Sequence, residues 1–207
     1  MLENDNANAV PAQAATGEIT GVGAQPASAE PAAGATFWGA LSWARDLVFS
    51  VLIAVILIVF IYQPVKVEGT SMMPTLSDQE RIFINKFTYH YGLGGIEHGD
   101  MVVFKYPLDI SKSYIKRVVG VPGDVIKIVA GQVYVNGKAL AEAYVPEEYR
   151  DHVSWGEERV PTDKYFVLGD HRSSSNDSRA WGWVDRKYIY GKAVFVYWPL
   201  EKLGRLR

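Results

Sequence analysis

"YIKRVVGVPGDVIKIVAGQVYVNGKAL", residues 114–140, decides the fold class. Three runs in it, 114–120, 124–129 and 132–135, are rich in Val, Ile and Tyr and are broken by Pro-Gly-Asp and Ala-Gly. β-branched and aromatic side chains in short runs between turn residues predict strands rather than helices. Asn136-Gly137 stands between two such runs, the composition of a tight type I′ hairpin. The pattern continues on both sides. "RIFINKF" (81–87), "DMVVFKY" (100–106), "KYFVLG" (164–169) and "AVFVYW" (193–198) read as further strands, punctuated by "HGD", "YPLD" and "GDHR". No strand–helix alternation calls for a parallel sheet. The expected fold is therefore mainly β, an antiparallel barrel-like or sandwich domain. Residues 137–163 are polar and weakly patterned, which predicts a surface insertion into that domain.

Upstream the composition changes twice. Residues 1–36 are Ala, Pro, Gly, Asn and Gln with four acids and no lysine or arginine. Such a segment cannot bury enough apolar surface to order itself, so a disordered tail is expected. From Leu47 to Tyr62 the chain reads "LVFSVLIAVILIVFIY", with no charge. It is apolar on every face, and "FWGALSWARD" extends it towards the N-terminus. The expectation is one transmembrane helix over 37–62, flanked by Trp38, Trp43 and Tyr62, with the β domain over 63–207. Arg45 with Asp46 before the span and Lys66 after it leave the orientation open.

The whole chain has 207 residues and a formal net charge of −2, so no global field invites nucleic acid. It has no cysteine, which excludes disulfides, a thiol nucleophile and thiolate metal sites. The four histidines lack metal-ligand spacing, and no P-loop, dinucleotide fingerprint or zinc-helix motif occurs. The residues thus show no metal or cofactor motif.

Three segments concentrate chemistry. "EGTSMMPTL" (68–76) places Ser71 after Gly69-Thr70, where a sharp turn can bring backbone N–H groups near the hydroxyl. Taken alone such a triplet is more often a plain turn. A serine nucleophile needs a base. Lysine serves only when burial lowers its pKa from ~10.4 by about 3 units. Lys116 lies in an apolar strand, beside Arg117. Period 2 sends them to opposite faces, so one of two adjacent cations points inward, and periodicity does not say which. The third segment, "GDHRSSSNDSRAWGW" (169–183), packs hydroxyls, two aspartates and two arginines into one loop. Asp177 and Arg179 could pair to hold it, and the tryptophans after it would anchor it. Asp170-His171 offers an alternative base for Ser71 in a Ser-His-Asp arrangement.

In this order and behind an apolar span, "GTSMMPTL", "GDMVVFKYP", "YIKRVVGVPGD" and "GDHRSSSNDSRAWGWV" resemble the boxes of type I signal peptidases, membrane-bound serine proteases with a Ser/Lys dyad. The resemblance covers residues 55–200. It implies Ser71 as nucleophile and Lys116 as general base. It further implies Ser175 as a hydroxyl orienting the lysine, and Asp177 and Arg179 as a supporting pair. Val67, Met72, Leu76, Tyr114 and Ile115 would line pockets for small side chains. Gly69 replaces a serine that some members use as a second oxyanion donor, so a backbone group, a water or Thr70 would do that work here. The implied partners are signal peptides of exported preproteins and membrane lipid, and no metal or cofactor is implied. The implied location is the cytoplasmic membrane, with the catalytic domain on the trans side. Two other readings remain: a dedicated Ser/Lys processing peptidase with one narrow substrate, and a non-catalytic membrane-tethered peptide-binding β module.

Overall fold

The computed structural model describes residues 33–87 and 94–206; within its N-terminal helix, side chains are described at 39, 42–56, 58 and 61. Most of the expected tail, 1–36, lies outside these residues. The chain divides into two units, 1–47 and 48–207, and the second holds every strand.

Helix α1 runs from Ala33 to Ile61, beginning four residues before the expected start. Its end has a local cause. Pro64 disfavours helical geometry at Gln63, and the chain turns into strand β1 at Tyr62–Lys66. Among the described residues, no helix is long and apolar enough to cross a membrane. Several apolar positions of 37–62 fall outside the described side chains.

The strands form two antiparallel sheets. After β1 come β2 (Arg81–Asn85), β3 (Met101–Tyr106) and β4 (Asp109–Gly120). Next are β5 (Val125–Val129), β6 (Gln132–Val135), β7 (Lys138–Ala139) and β8 (Trp155–Arg159). The last four are β9 (Lys164–Leu168), β10 (Val184–Asp185), β11 (Ile189–Trp198) and β12 (Gly204–Arg205). The large sheet has the order β1-β2-β11-β3-β4-β9-β10, with β12 beside β11. The small sheet is β7-β6-β5-β8. All seven runs expected as strands are strands. At the predicted hairpin, Asn136 and Gly137 have φ of 52° and 78°, both positive as a type I′ turn requires.

The central strands are covered on both faces. In β3, Met101 and Val103 join one buried cluster with Val67, Met72, Leu76, Ile82 and Ile84. Val102 and Phe104 join another, with Val118, Val167 and Val184. A third, Val119, Ile126, Ile128, Val133, Phe166 and Leu168, packs the small sheet against β4 and β9. Successive side chains of one strand point to opposite faces, so unbroken burial across "MVVF" needs a layer on each side.

The insertion over 137–163 is not the bland surface decoration its composition predicts. It supplies β7 and β8 to the small sheet. It also buries Val145, Val160 and the carboxylate of Glu142. Its polar sequence hides this because its buried acid, Glu142, and the partly buried Asp151 face arginines from another loop.

Candidate active site

The segment between β1 and β2 carries Ser71. Two backbone bonds close its base, Val67 N–H to Glu80 O at 2.7 Å and Gln79 N–H to Val67 O at 2.9 Å. Tight turns fill the interior, with Met73 N–H donating to Thr70 O and Leu76 N–H to Met72 O. Met72 and Leu76 are buried in the core and pin the turn from below. Gly69 has φ +96°, a left-handed geometry that favours glycine. Its N–H donates to Asp78 Oδ1 at 2.8 Å. That bond is the chief reason Asp78 has a carboxyl pKa below the usual value.

Strand β4 brings Lys116 to this turn. Its Nζ lies 2.6 Å from Ser71 Oγ, across 45 residues of sequence. Only 4% of Lys116 is exposed, and no carboxylate pairs with it among the described residues. Burial lowers its pKa from 10.5 to about 8; the more distant charges of Asp177 and Asp170 oppose the shift without cancelling it. At that value roughly a tenth of the amine is neutral at pH 7. The Tyr114 ring stands 5.4 Å from Nζ.

Arg117 is as buried as Lys116, at 3% exposure. The either-or posed by strand period has the answer that both cations point into the protein, because both faces of β4 are covered. Arg117 is fully partnered. Its Nε and Nη2 donate to the two oxygens of Asp170, each at 2.8 Å, and Nη1 donates to Gly99 O at 2.9 Å. The guanidinium lies 4.1 Å from the centre of the Tyr144 ring. Asp170 is thereby committed to Arg117, not to His171. The His171 ring contacts Thr70 O and Tyr149, while its backbone N–H donates to Ser71 O at 3.1 Å. The Ser-His-Asp alternative has no geometric basis here.

The loop after β9 locks around Asp177 and Arg179. Asp177 caps the short helix α2 (Ser178–Trp181), accepts from Gly169 N–H, and takes Arg179 Nε and Nη2, both at 2.8 Å. Arg179 also donates to Arg172 O and pairs with Asp151 of the insertion. Arg172 pairs with the buried Glu142 and donates to Gly169 O. Gly169 is needed where it stands, because a Cβ there would lie 2.2 Å from Ser175 Oγ and 2.5 Å from Ser71 O. Trp181 packs on Phe104 and Tyr106, and Trp183 on Trp155 and Phe166, which fixes the loop's far end. Ser175 Oγ is buried beside Gly169 and makes no hydrogen bond, to Lys116 or to any other described residue.

A cleft of about 310 Å³ opens over Ser71 and Lys116. Its walls include Val65, Val67, Ile82, Val103, Tyr114, Ile115 and Tyr190, with Glu68, Ser113 and Asn176 as polar groups. Among the described residues, no group of three or more His, Asp or Glu side chains gathers as metal ligands would.

A family model described as signal peptidase, peptidase S26, matches residues 40–198. The chain belongs to the S26 signal peptidase family. Signal peptidase I of Leptolyngbya laminosa is 35% identical over 193 residues, covering 88% of this chain and 90% of that one. Signal peptidase I S of Bacillus subtilis (strain 168) is 38% identical over 175 residues, covering 80% and 92%. A crystal structure of a signal peptidase I from Enterococcus faecalis V583 has 28% identity and a TM-score of 0.43, covering 48% of this chain and 97% of that one.

In this S26 peptidase the expected site residues divide cleanly. Ser71, Lys116, Val67, Tyr114 and Ile115 meet at the cleft, and Asp177 and Arg179 pair behind it. Met72 and Leu76 do not line it. They face the core, because the turn after Ser71 directs every fourth side chain inward, as the Leu76-to-Met72 backbone bond records. Sequence reasoning missed Glu142 and Asp151, which tie the insertion to the catalytic-side loop. Nothing in the sequence singles them out among the acids of the insertion; Arg172 lacks a local partner only because Asp170 pairs with Arg117 and Asp177 with Arg179.

Proposed function

We propose that this peptidase removes N-terminal signal peptides from exported preproteins by a Ser71/Lys116 dyad. The observation that carries the reading is the 2.6 Å contact between Ser71 Oγ and a buried lysine that no carboxylate neutralises. Neutral Lys116 takes the proton of Ser71 as Oγ attacks the scissile carbonyl carbon. The ammonium then gives that proton to the leaving amine, and the acyl ester forms. A water attacks the ester, its proton passing to Lys116, and the acid product leaves as Ser71 regains its proton.

Oxyanion stabilisation falls to the Ser71 N–H in this reading. The Gly69 amide is engaged by Asp78, so it is not the second donor. Asp177 and Arg179 act as positioning residues, holding the loop whose His171 N–H fixes the Ser71 carbonyl. Ser175 supplies a buried hydroxyl, unpartnered among the described residues, beside Gly169 and the Ser71 carbonyl, and orients Lys116 in this reading. The preprotein lies extended along β1, the edge of the large sheet, and places small side chains against Val67 and Ile115. The apolar run at 47–62 anchors the enzyme in the cytoplasmic membrane, with the β domain on the trans side and lipid around the helix.

Cleavage of a preprotein by the purified full chain tests this reading. Ser71→Ala and Lys116→Ala should each lower the rate by about three orders of magnitude or more. Lys116→Arg should not restore it, because a guanidinium keeps its proton at any working pH. Activity retained in either alanine variant would remove the dyad.

A further inference from the structure

Two lysines stand around Tyr190, a wall of the same cleft, and take no part in its chemistry. Lys105 is on β3, two residues beyond the cleft-lining Val103 and therefore on the same face of the sheet. Its register partner, Ser113, also lines the cleft. Lys86 follows β2 directly. The two side chains converge on one ring. Lys105 Nζ lies 5.6 Å and Lys86 Nζ 6.0 Å from the centre of Tyr190, which is itself a wall of the cleft.

This arrangement differs from that of most other lysines of the domain. Lys66, Lys112, Lys127, Lys164, Lys192 and Lys202 each have a carboxylate partner. Lys86 and Lys105 have none among the described residues. Two ammonium groups near one ring, with no carboxylate beside them among the described residues, repel each other. The ring quadrupole offsets only part of that, about 0.5–1 kcal/mol for each at an exposed site. An anion within reach of both would relieve the repulsion. Lys116, which lines the cleft and has no carboxylate partner among the described residues, is buried beside Ser71 and serves the reaction. Lys105 is exposed and Lys86 half-buried, so both remain open to a ligand.

We propose that Lys86, Lys105 and Tyr190 form an acidic-side-chain subsite, which reads an Asp or Glu of the bound polypeptide at one fixed position relative to the scissile bond. The proposal rests on the cleft being where the substrate binds. The ring would pack on the methylenes of the acidic side chain while the two ammonium groups hold its carboxylate. The subsite sets preference among substrates and takes no part in bond cleavage.

The test uses paired peptides that differ only by Glu or Gln, scanned through the positions on both sides of the cleavage site. They are cut by the full-length enzyme in neutral detergent. One position should show kcat/KM about five- to tenfold higher for Glu, mainly through KM, as expected for one or two partly exposed ion pairs. That preference should shrink as salt rises. In Lys86→Gln/Lys105→Gln the Glu:Gln ratio at that position should fall to about one, and in Lys105→Glu it should fall below one. A ratio near one at every position for the wild type overturns the proposal, as does a preference that survives both variants. If these lysines matter only when anionic lipid vesicles are added, they serve a membrane surface and the proposal fails. Ser71→Ala on the all-Gln peptide keeps the two readings apart. Its inactivity, beside a wild type that cuts that peptide without charge preference, leaves the proposed function standing and removes the subsite alone.

Discussion

The two faces of β4 make a controlled comparison. On one side Lys116 is buried against Ser71 with a single hydroxyl partner. One residue further, on the other side, Arg117 is buried to the same degree against Asp170, Gly99 and Tyr144. Both are cations that left water. The arginine keeps its proton because a bidentate carboxylate compensates its lost hydration. The lysine has no such partner, so burial weakens its hold on the proton, and its pKa falls to about 8. The same strand thus holds an inert strut and an amine whose proton is loosely held. The difference lies in the partners, not in the depth of burial.

The largest effect should come from breaking the strut. Arg117→Ala leaves the Asp170 carboxylate buried and alone, and should cost about 3–5 kcal/mol of stability. Denaturant unfolding would show it; a loss under 1 kcal/mol would mean that Asp170 finds water or another donor. Breaking the base should do the opposite. Lys116→Met removes a buried ammonium while keeping the shape of the site, so the variant should be inactive yet more stable near pH 7, by up to about 3 kcal/mol. A destabilised Lys116→Met would equate the two faces and sink the contrast.

pH sharpens the same point. Below about 8, Lys116 is protonated in both folded and unfolded states, and folding carries the full cost of burying the charge. Between about 8 and 10.5 the unfolded chain binds the extra proton, so the Lys116 contribution to stability rises with pH across that window and is flat below it. The rate should follow the neutral amine. kcat/KM should climb about tenfold per unit at acid pH and level off above about 8. An acid limb that levels off near pH 6 would point to a different base. The smallest effect is at the turn. Gly69→Ala meets open space but keeps φ at +96°, so it should cost about 1 kcal/mol with little change in the 2.6 Å dyad contact, readable as a modest drop in melting temperature.

Strands and hairpin were legible because their signals are local. Val, Ile and Tyr at short period mark β3 through β6, and Asn-Gly marks the turn between β6 and β7. The short strands β8, β10 and β12 escaped notice because two to five residues of mixed polarity carry no period; pairing to a partner strand makes them strands. At the site, Ser71, Lys116 and the Asp177–Arg179 pair could be named because residue type and motif order survive in one dimension. Glu142 could not, since its meaning depends on Arg172, 30 residues away.

By itself the sequence determined that this chain makes an antiparallel β domain behind an apolar helix, and which hydroxyl and which amine could react. Only the tertiary structure decided that Lys116 and Arg117 are both buried, that Met72 and Leu76 belong to the core rather than the cleft, and that the insertion braces the loop beside Ser71. The physical reason is one and the same. Period fixes the direction in which a side chain points, but burial depends on what covers that face, and the covering groups come from residues 30 to 53 positions away.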